Sequence, residues 1–380
     1  MAAPHCVILG GGFGGLAAAH RLRERLGTKA EITLVDRGGT FMMGLRILWT
    51  VAGQADRATG TRSLDQLRRK GIHYQRDEAV LLELDQKTVF TRSGRLHYDA
   101  LVVALGAELR PDLVSGYDPV ASNLYDPDQA EAIAARIATF DGGRIGIGIL
   151  GAPYKCPPAP FEAAFLIDDL LRRRGIRGRA ELEVFTPLPS SLPVAGAAVC
   201  AQVEGRLAAK GIRFLPGCKV TGVEGGDVVF ERDRRSYDLL IGVPPHRAPK
   251  VVKASGLTAG EWVRPDPHTC ATASPGVYAV GDVTEMPLAN GMMLPKAGVF
   301  AEAMGRVAAD AIADALSGRQ PAAQFDGVGF CFVETGGGAA TAIRGEFFAT
   351  PAPAIEVADP SPQTLAEKRE FEAAHLAAWF

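Results

Sequence analysis

The sequence predicts an α/β protein with two Rossmann-like dinucleotide-binding domains and a small C-terminal α+β segment. Two stretches, residues 6–36 and 144–186, each read as a buried strand, a glycine-containing loop, a helix and a second strand. Two further apolar strands, at residues 98–106 and 276–282, end in small residues and return the chain to the first domain. We therefore assign residues 1–110 and 241–320 to the first domain, 111–240 to the second, and 321–380 to the C-terminal segment.

The first domain begins with a dinucleotide-binding fingerprint. An apolar strand over residues 6–9 leads into Gly10-Gly11-Gly12-Phe13-Gly14-Gly15, and a helix and a second strand follow. Glycines at the first, third and sixth loop positions permit a tight turn, close approach of a pyrophosphate and tight helix–strand packing. Asp36, which closes the second strand, is placed to accept hydrogen bonds from an adenosine ribose. The pattern predicts a bound dinucleotide.

The corresponding loop of the second domain, residues 151–162, departs from this pattern. Gly146, Gly148 and Gly151 begin it, but four prolines between positions 153 and 160 remove N–H groups that a phosphate would need. The strand over residues 181–185 ends in Thr-Pro, where an NAD site would carry a carboxylate or an arginine. We expect this domain to keep the fold and to lack the nucleotide.

In place of a phosphate cradle, the altered loop presents a thiol. Cys156 follows Lys155 and precedes a helix over residues 161–174, and both a cation and a helix N-terminus favour the thiolate. Glu162, in the first turn of that helix, is placed to take a proton from a thiol-like substrate; the alternative is a carboxylate that only stabilises the helix dipole. Cys331 lies on a strand over residues 330–334, where a small buried hydrophobic residue is the alternative.

Composition and charge exclude several functional classes. The chain of 380 residues carries 41 Lys+Arg and 43 Asp+Glu, and its net charge of -2 gives no general attraction to nucleic acid. Six cysteines lie far apart, without the spacing of a metal site or an attached haem, so no metal is expected. The sequence has no apolar run long enough for a transmembrane helix and no basic leader, which predicts a cytoplasmic protein.

Three motifs give the chain a specific resemblance. The glycine loop and the strand ends Ala104-Leu105-Gly106 and Gly281-Asp282 resemble the FAD signatures of the two-domain disulfide-reductase class of flavoproteins. By this resemblance Asp282 would bind the flavin ribityl chain, and Lys296, before a helix near residue 299, would face the flavin N1–C2=O edge. A solvated surface lysine is the alternative for Lys296. The residues that the resemblance places around FAD are Gly10, Gly12, Phe13, Gly14, Gly15, Asp36, Arg37, Val80, Ala104, Leu105, Gly106, Gly281, Asp282 and Lys296.

The cysteine loop narrows the resemblance to one group of these flavoproteins. The run from Lys155 to Glu162 is similar to the loop of flavocytochrome c sulfide dehydrogenase flavoproteins and sulfide:quinone oxidoreductases. In those families the loop cysteine pairs with one on a late strand, which implies a Cys156–Cys331 redox disulfide. The implied reaction is attack by HS⁻, which leaves a persulfide on Cys331 and a thiolate at Cys156, with electrons passing through FAD to a quinone. The implied catalytic residues are Cys156, Cys331, Glu162 and Lys296.

Two positions depart from the family pattern. Met42-Met43 stands where the sulfide dehydrogenase flavoprotein carries a cysteine that binds flavin covalently, so noncovalent FAD is expected. A third cysteine of many quinone-linked members has no counterpart near Ser122-Asn123. Two other functions stay open: a type II NADH:quinone dehydrogenase, which would need an intact second glycine loop, and a flavin-bound partner protein that uses Cys156 as a redox sensor. The sequence leaves the electron acceptor, the sulfur donor and the oligomeric state open.

The last helix, expected over residues 364–380, bears on membrane contact. Its basic residues are matched by glutamates, so anionic lipid would attract it weakly. Because a quinone is poorly soluble, we expect peripheral contact through this helix on the inner face of the cell membrane; the alternative is a helix packed on the flavin domain. The apolar surface for either role comes from Leu365, Phe371, Leu376, Trp379 and Phe380.

Overall fold

The computed structural model describes residues 3–118 and 122–380. Its helices are α1 (Phe13–Leu26), α2 (Leu45–Val51), α3 (Ala130–Thr139), α4 (Ala159–Arg173), α5 (Ala197–Ala209), α6 (Lys250–Ala254), α7 (Gly298–Leu316) and α8 (Pro362–Trp379). The first strands are β1 (His5–Leu9), β2 (Glu31–Asp36), β3 (Thr40–Met42), β4 (Thr61–Ser63), β5 (His73–Arg76), β6 (Ala79–Glu83), β7 (Thr88–Thr91), β8 (Arg95–His97), β9 (Ala100–Val103), β10 (Glu108–Leu109) and β11 (Gly143–Ile149). The remaining strands are β12 (Ala180–Phe185), β13 (Ile212–Leu215), β14 (Val220–Glu224), β15 (Asp227–Phe230), β16 (Arg234–Ser236), β17 (Leu239–Val243), β18 (His246–Arg247), β19 (Val277–Ala279), β20 (Val328–Gly336), β21 (Ala339–Glu346) and β22 (Ala354–Val357).

A five-stranded parallel sheet, in the order β19-β9-β1-β2-β5, carries the glycine loop. The central strand β1 pairs with β2 on one side and β9 on the other, so that Leu9 lies between Val35 and Val103. The strand order therefore reverses at the carboxyl end of β1, which is where open α/β sheets bind their ligands. Helices α1 and α7 pack together over the glycine loop. The two helices are so close that a Cβ at Gly305 of α7 would lie 2.3 Å from the Gly14 carbonyl oxygen of α1.

A second parallel sheet, in the order β13-β12-β11-β17, holds the cysteine loop at the carboxyl end of β11. Its apolar residues and those of α4 form one continuous core. The antiparallel pair β10–β18 joins the chain where it enters and where it leaves this unit. The α/β class and the two Rossmann-like units predicted from the sequence are thus observed.

The C-terminal segment is an antiparallel sheet, β20-β21-β22, covered by α8. Strand β20 packs against α4, which brings the strand of Cys331 next to the helix that follows Cys156. Helix α8 also reaches the glycine loop: the ring of Phe13 lies 6.5 Å from Phe371 and 5.5 Å from Trp379. This segment therefore closes over the junction of the two sheets.

The apolar residues of α8 point into the protein. Leu365, Leu376 and Trp379 are buried, and Phe380 stacks on Phe41 at 5.9 Å. The helix thus packs on the flavin-type unit, which was the alternative to membrane docking, and its peripheral membrane contact stays a prediction. None of the helices within residues 3–118 and 122–380 has the length and hydropathy needed to cross a bilayer.

Candidate functional site

One cavity of about 810 Å³ lies where the two sheets and the C-terminal segment meet. The glycine loop, the end of β9, the segment after β19, the cysteine loop and β20 all contribute to its wall. Its volume is within the range of small-molecule and cofactor pockets. Three sequence motifs that lie far apart in the chain, together with both cysteines of interest, therefore face one space.

The glycine loop has the geometry that a pyrophosphate needs. Gly10 has φ +103°, and a Cβ there would lie 2.3 Å from the Ala104 carbonyl oxygen; a Cβ at Gly15 would lie 1.9 Å from the Gly10 oxygen. A Cβ at Gly12, in contrast, would meet nothing within 4 Å, and α1 begins there without a side-chain cap. The first N–H groups of α1 therefore face open cavity, which is the arrangement that binds phosphate at a helix N-terminus.

Asp36 is held at the mouth of this loop. Its carboxylate accepts hydrogen bonds from the backbone N–H of Gly11 at 2.8 Å and of Gly38 at 2.7 Å. The side chain lines the cavity beside Arg37, so an ordered carboxylate lies within the space that an adenosine moiety would fill. Together with the open N-terminus of α1, this carboxylate fits a dinucleotide such as FAD.

Most of the predicted FAD contacts line the cavity, and two do not. Gly15 is buried by its contact with Gly10, so its role is the packing of α1 on β1. Val80 is 46% exposed and lies outside the cavity, whereas its neighbour Ala79 lines it. A β-bulge between Ala79 and Leu81 interrupts the alternation of side chains along β6, and contact of Val80 with FAD stays a prediction. The predicted residues that line the cavity are Gly10, Gly12, Phe13, Gly14, Asp36, Arg37, Ala104, Leu105, Gly106, Gly281, Asp282 and Lys296.

Lys296 is a buried ammonium of the cavity wall, not a solvated surface lysine. Its Nζ donates hydrogen bonds to the carbonyl oxygens of Asp282 and Thr284, both at 2.8 Å, and lies 3.5 Å from the ring centroid of Trp262. Burial lowers the pKa of Lys296 to about 8, opposed by the Asp282 charge. Burial also raises the pKa of Asp282, which Lys155 and Lys296 oppose. The site therefore places a cation and a carboxyl side by side at one wall.

Cys156 is fixed by its backbone between this wall and α4. It has φ +47°, a left-handed conformation that is uncommon for a residue other than glycine. Its N–H donates to the Lys296 carbonyl oxygen at 2.6 Å, and its own carbonyl accepts from the Tyr125 hydroxyl and the Ala159 N–H, both at 3.0 Å. Three hydrogen bonds thus hold an unfavourable conformation, as is typical of functional sites.

The helix N-terminus favours the Cys156 thiolate as expected, since the Ala159 N–H, the first of α4, lowers the pKa of this thiol, but burial is the larger effect and raises it. The Ala159 N–H also donates to the Cys156 carbonyl oxygen at 3.0 Å, while the Lys155 ammonium lies 5.9 Å from the Tyr125 ring centroid. The side chain of Cys156 is open to the cavity, but the surrounding protein displaces enough solvent to raise the pKa of its thiol to about 12. The charge that lowers this pKa belongs to Lys368.

Cys331 lines the same cavity from β20. Burial raises the pKa of its thiol, and the charge of Cys156 acts in the same direction. The two cysteines are therefore neighbours within electrostatic range, although both are free thiols in the structure. Their pairing as a redox disulfide remains a proposal.

Glu162 lies in a buried ion cluster that the sequence did not reveal. The Lys368 ammonium of α8 contacts Glu162 Oε1 and donates to Glu334 Oε1 at 3.0 Å. The Trp49 indole N–H also donates to Glu334. Burial raises the pKa of Glu162, with Lys368 opposing the shift and Glu334 adding to it. Lys368 is one of the basic residues of the last helix, and its i, i+3 spacing from the buried Leu365 is the sequence signal for its burial.

Side chains fill the space next to three glycines of the second unit. A Cβ at Gly148 would lie 2.2 Å from the ring of Phe185, one at Gly146 would lie 2.6 Å from the ring of Tyr237, and one at Gly151 would lie 2.5 Å from Pro245. These glycines therefore make room for two aromatic rings and a proline. This gives a physical reason to expect no nucleotide at this loop.

The family model for pyridine nucleotide-disulphide oxidoreductases matches residues 4–305. The mitochondrial sulfide:quinone oxidoreductase of Dictyostelium discoideum is 28% identical over 301 residues, 74% of this chain and 65% of the relative. The alternative NAD(P)H-ubiquinone oxidoreductase C1 of Arabidopsis thaliana is 31% identical over 197 residues, 46% of this chain and 37% of that relative. The solved sulfide:quinone oxidoreductase of Aquifex aeolicus superposes with a TM-score of 0.90 at 22% identity, covering 99% of this chain and 91% of that chain.

These comparisons confirm the fold class and the similarity to sulfide:quinone oxidoreductases that the motifs indicated. The chain spans just under two thirds of the Dictyostelium relative's length. The structural match, at its low identity, bears on the fold alone.

Proposed function

The chain belongs to the pyridine nucleotide-disulphide oxidoreductase family, and on this basis we propose that it is an FAD-dependent enzyme that oxidises sulfide, or a related small sulfur species, and passes the electrons to a quinone. The observation that carries the proposal is that Cys156 and Cys331 line the same cavity as the glycine loop. When bound, FAD would supply the two-electron acceptor between the sulfur and the quinone.

The sulfur step is thiol–disulfide exchange at a Cys156–Cys331 disulfide. HS⁻ attacks the sulfur of Cys331, a new S–S bond forms there, the disulfide bond breaks, and Cys156 leaves as a thiolate while Cys331 keeps a persulfide. The direction of attack is the one that the resemblance to sulfide:quinone oxidoreductases implies.

Two other residues have assigned roles in this proposal. Glu162 lines the cavity and burial raises its pKa, which suits a group that accepts a proton from the incoming sulfur species. Lys296, held by two backbone carbonyls, keeps an ammonium at neutral pH and would stabilise negative charge on a reduced cofactor.

An anaerobic titration tests the proposal. Sulfide is expected to bleach the flavin absorbance of the wild-type holoenzyme, whereas Cys156→Ser and Cys331→Ser should each keep FAD and lose the rate of this reduction by roughly a hundredfold or more, with the double variant little worse than either. Cys218→Ser, at a half-buried thiol outside the cavity, is the matched control. Rapid sulfide-driven bleaching in Cys331→Ser would overturn the disulfide.

A type II NADH:quinone dehydrogenase is the second candidate, favoured by the similarity to the Arabidopsis protein. Against this candidate, the rings of Phe185 and Tyr237 occupy the space next to Gly148 and Gly146 in the second unit. The same titration decides: bleaching by NADH and not by sulfide would support this candidate. Bleaching by neither donor would support a redox-responsive partner protein.

The quinone acceptor rests on the same relatives and implies contact with a bilayer. Because the apolar side chains of α8 are buried, we propose that any membrane contact through this helix is shallow and peripheral. FAD is proposed to be noncovalent, since Cys156 and Cys331 are the cysteines of the cavity wall among the described residues.

A further inference from the structure

Lys368 is a lysine of the last helix whose ammonium is buried. Its side chain is 1% exposed, and its Nζ lies 5.2 Å from the ring centroid of Trp49. Burying an ammonium is costly unless it is paired and hydrogen-bonded. Lys368 has two carboxylate partners, Glu162 and Glu334, which are themselves almost fully buried. Glu367, Arg369 and Glu370 of α8 are exposed, whereas Glu372 is also buried, in an ion pair with Arg46.

The two carboxylates belong to the elements that carry the two cysteines. Glu162 is on α4, six residues after Cys156, and Glu334 is on β20, three residues after Cys331. A single ammonium that contacts both carboxylates therefore connects the cysteine loop to the cysteine strand. Two other polar contacts join these elements: the Glu334 backbone N–H lowers the pKa of Glu162, and the Gly337 N–H, just after β20, donates to Asp169 of α4 at 2.9 Å.

The cluster also sets the electrostatic field at Cys156. Burial and the Glu162 charge raise the pKa of this thiol, the Lys368 charge lowers it, the Asp282 charge raises it and the Ala159 N–H lowers it. The other titratable groups that face Cys156 are the Tyr125 and Tyr154 hydroxyls and the Cys331 thiol. Loss of the ammonium would leave two buried carboxylates facing a residue that must become an anion.

We propose that Lys368 is a positioning residue that holds the Cys156 loop against the Cys331 strand through Glu162 and Glu334, and whose charge stabilises the Cys156 thiolate. The inference deepens the proposed function, because this thiolate is the leaving group of the sulfur step. It assigns to the C-terminal helix a role inside the sulfur site.

The test measures the ionisation of Cys156 without sulfide turnover. Reduced, FAD-loaded protein is treated anaerobically with iodoacetamide between pH 7 and 10, and alkylation of the Cys156 peptide is followed by mass spectrometry. Lys368→Gln keeps hydrogen-bond donors but loses the charge, and it should slow alkylation about tenfold at each pH, since one unit of pKa changes the thiolate fraction tenfold. Lys368→Arg should restore most of the wild-type rate.

Two further variants make the result decisive. Arg369→Met, at the exposed neighbouring position, should alkylate like the wild type. Glu162→Gln removes the carboxylate that opposes the thiolate, keeps the Lys368–Glu334 pair and should alkylate faster. Equal rates in Lys368→Gln and Arg369→Met would overturn the proposal, and so would a Glu162→Gln rate at or below the wild-type rate, which decides the matter if Lys368→Gln does not fold. Because no sulfide is used, these outcomes are independent of whether sulfide is the substrate.

Discussion

The pH dependence of stability should depend strongly on one buried histidine, His246 of β18. Its side chain is 0% exposed, Nδ1 donates to the Pro244 carbonyl oxygen at 2.9 Å, and Nε2 is buried without a hydrogen-bond partner among the described residues. Burial lowers the pKa of His246 to about 3 from an ordinary value of 6.5, and the charges of Lys155 and Lys296 contribute. A protonated ring would bury both a charge and an unpaired N–H.

Proton linkage gives the sign and the size of the effect of His246 on the free energy of unfolding. Because the folded pKa lies below the unfolded pKa, the unfolded state binds more protons as the pH falls below 6.5, and stability is lost until the pH reaches about 3. At pH 5 protonation of this group shifts the equilibrium between folded and unfolded protein roughly thirtyfold toward the unfolded state. This shift corresponds to a loss of about 2 kcal/mol in the free energy of unfolding.

The variant His246→Asn isolates this contribution. An asparagine amide retains a donor for the Pro244 carbonyl and does not titrate. Urea unfolding of the holoprotein at pH 7.5, 6 and 5 should show the wild type losing about 2 kcal/mol more than this variant between the ends of the series. His73→Asn, at an exposed histidine of β5, should follow the wild type. Parallel pH profiles for the wild type and His246→Asn would refute the reasoning.

Three more outcomes are expected. Gly12→Val should give colourless protein, because its side chain would enter the open space at the start of α1 where the pyrophosphate is expected. Gly94→Ala, in an unobstructed turn, should stay yellow. Equal flavin content of the two variants by absorbance would contradict the pyrophosphate assignment. Denaturation and precipitation should release all FAD to the supernatant, and flavin that stays with the pellet would exclude noncovalent binding. A chain ending at Pro362 should unfold at lower urea concentration than the full chain, since Glu162 and Glu334 lose their buried cation.

The sequence was sufficient wherever a local pattern determined the structure. The glycine loop and Asp36 lie where the fingerprint predicted, because a tight turn and a helix N-terminus are properties of a few consecutive residues. The likeness of the Lys155–Glu162 loop to one group of flavoproteins also placed Cys156 correctly at the cavity wall.

The errors came from contacts between distant elements. Lys368 looked like a surface charge because its two partners lie 206 and 34 residues away, and no local pattern reports such a pairing. At Cys156 the sequence showed the helix N-terminus, which does lower the pKa of the thiol, but not the burial and the Glu162 charge, which raise it further. The Val80 side chain lies outside the cavity next to a bulge between Ala79 and Leu81, and a short run of apolar residues does not reveal such a bulge.

The side chains that fill the second glycine loop constrain any redesign of this protein for a nicotinamide donor. Inserting a standard phosphate-binding loop at residues 151–162 would leave the ring of Phe185 against Gly148 and that of Tyr237 against Gly146. Removing Tyr237 would in turn take a hydrogen bond from the buried carboxylate of Glu183, to which its hydroxyl donates at 3.0 Å. Conversion would therefore require coordinated replacements around β11, at Phe185 and Tyr237 as well as in the loop, so a change of electron donor would need several substitutions made together.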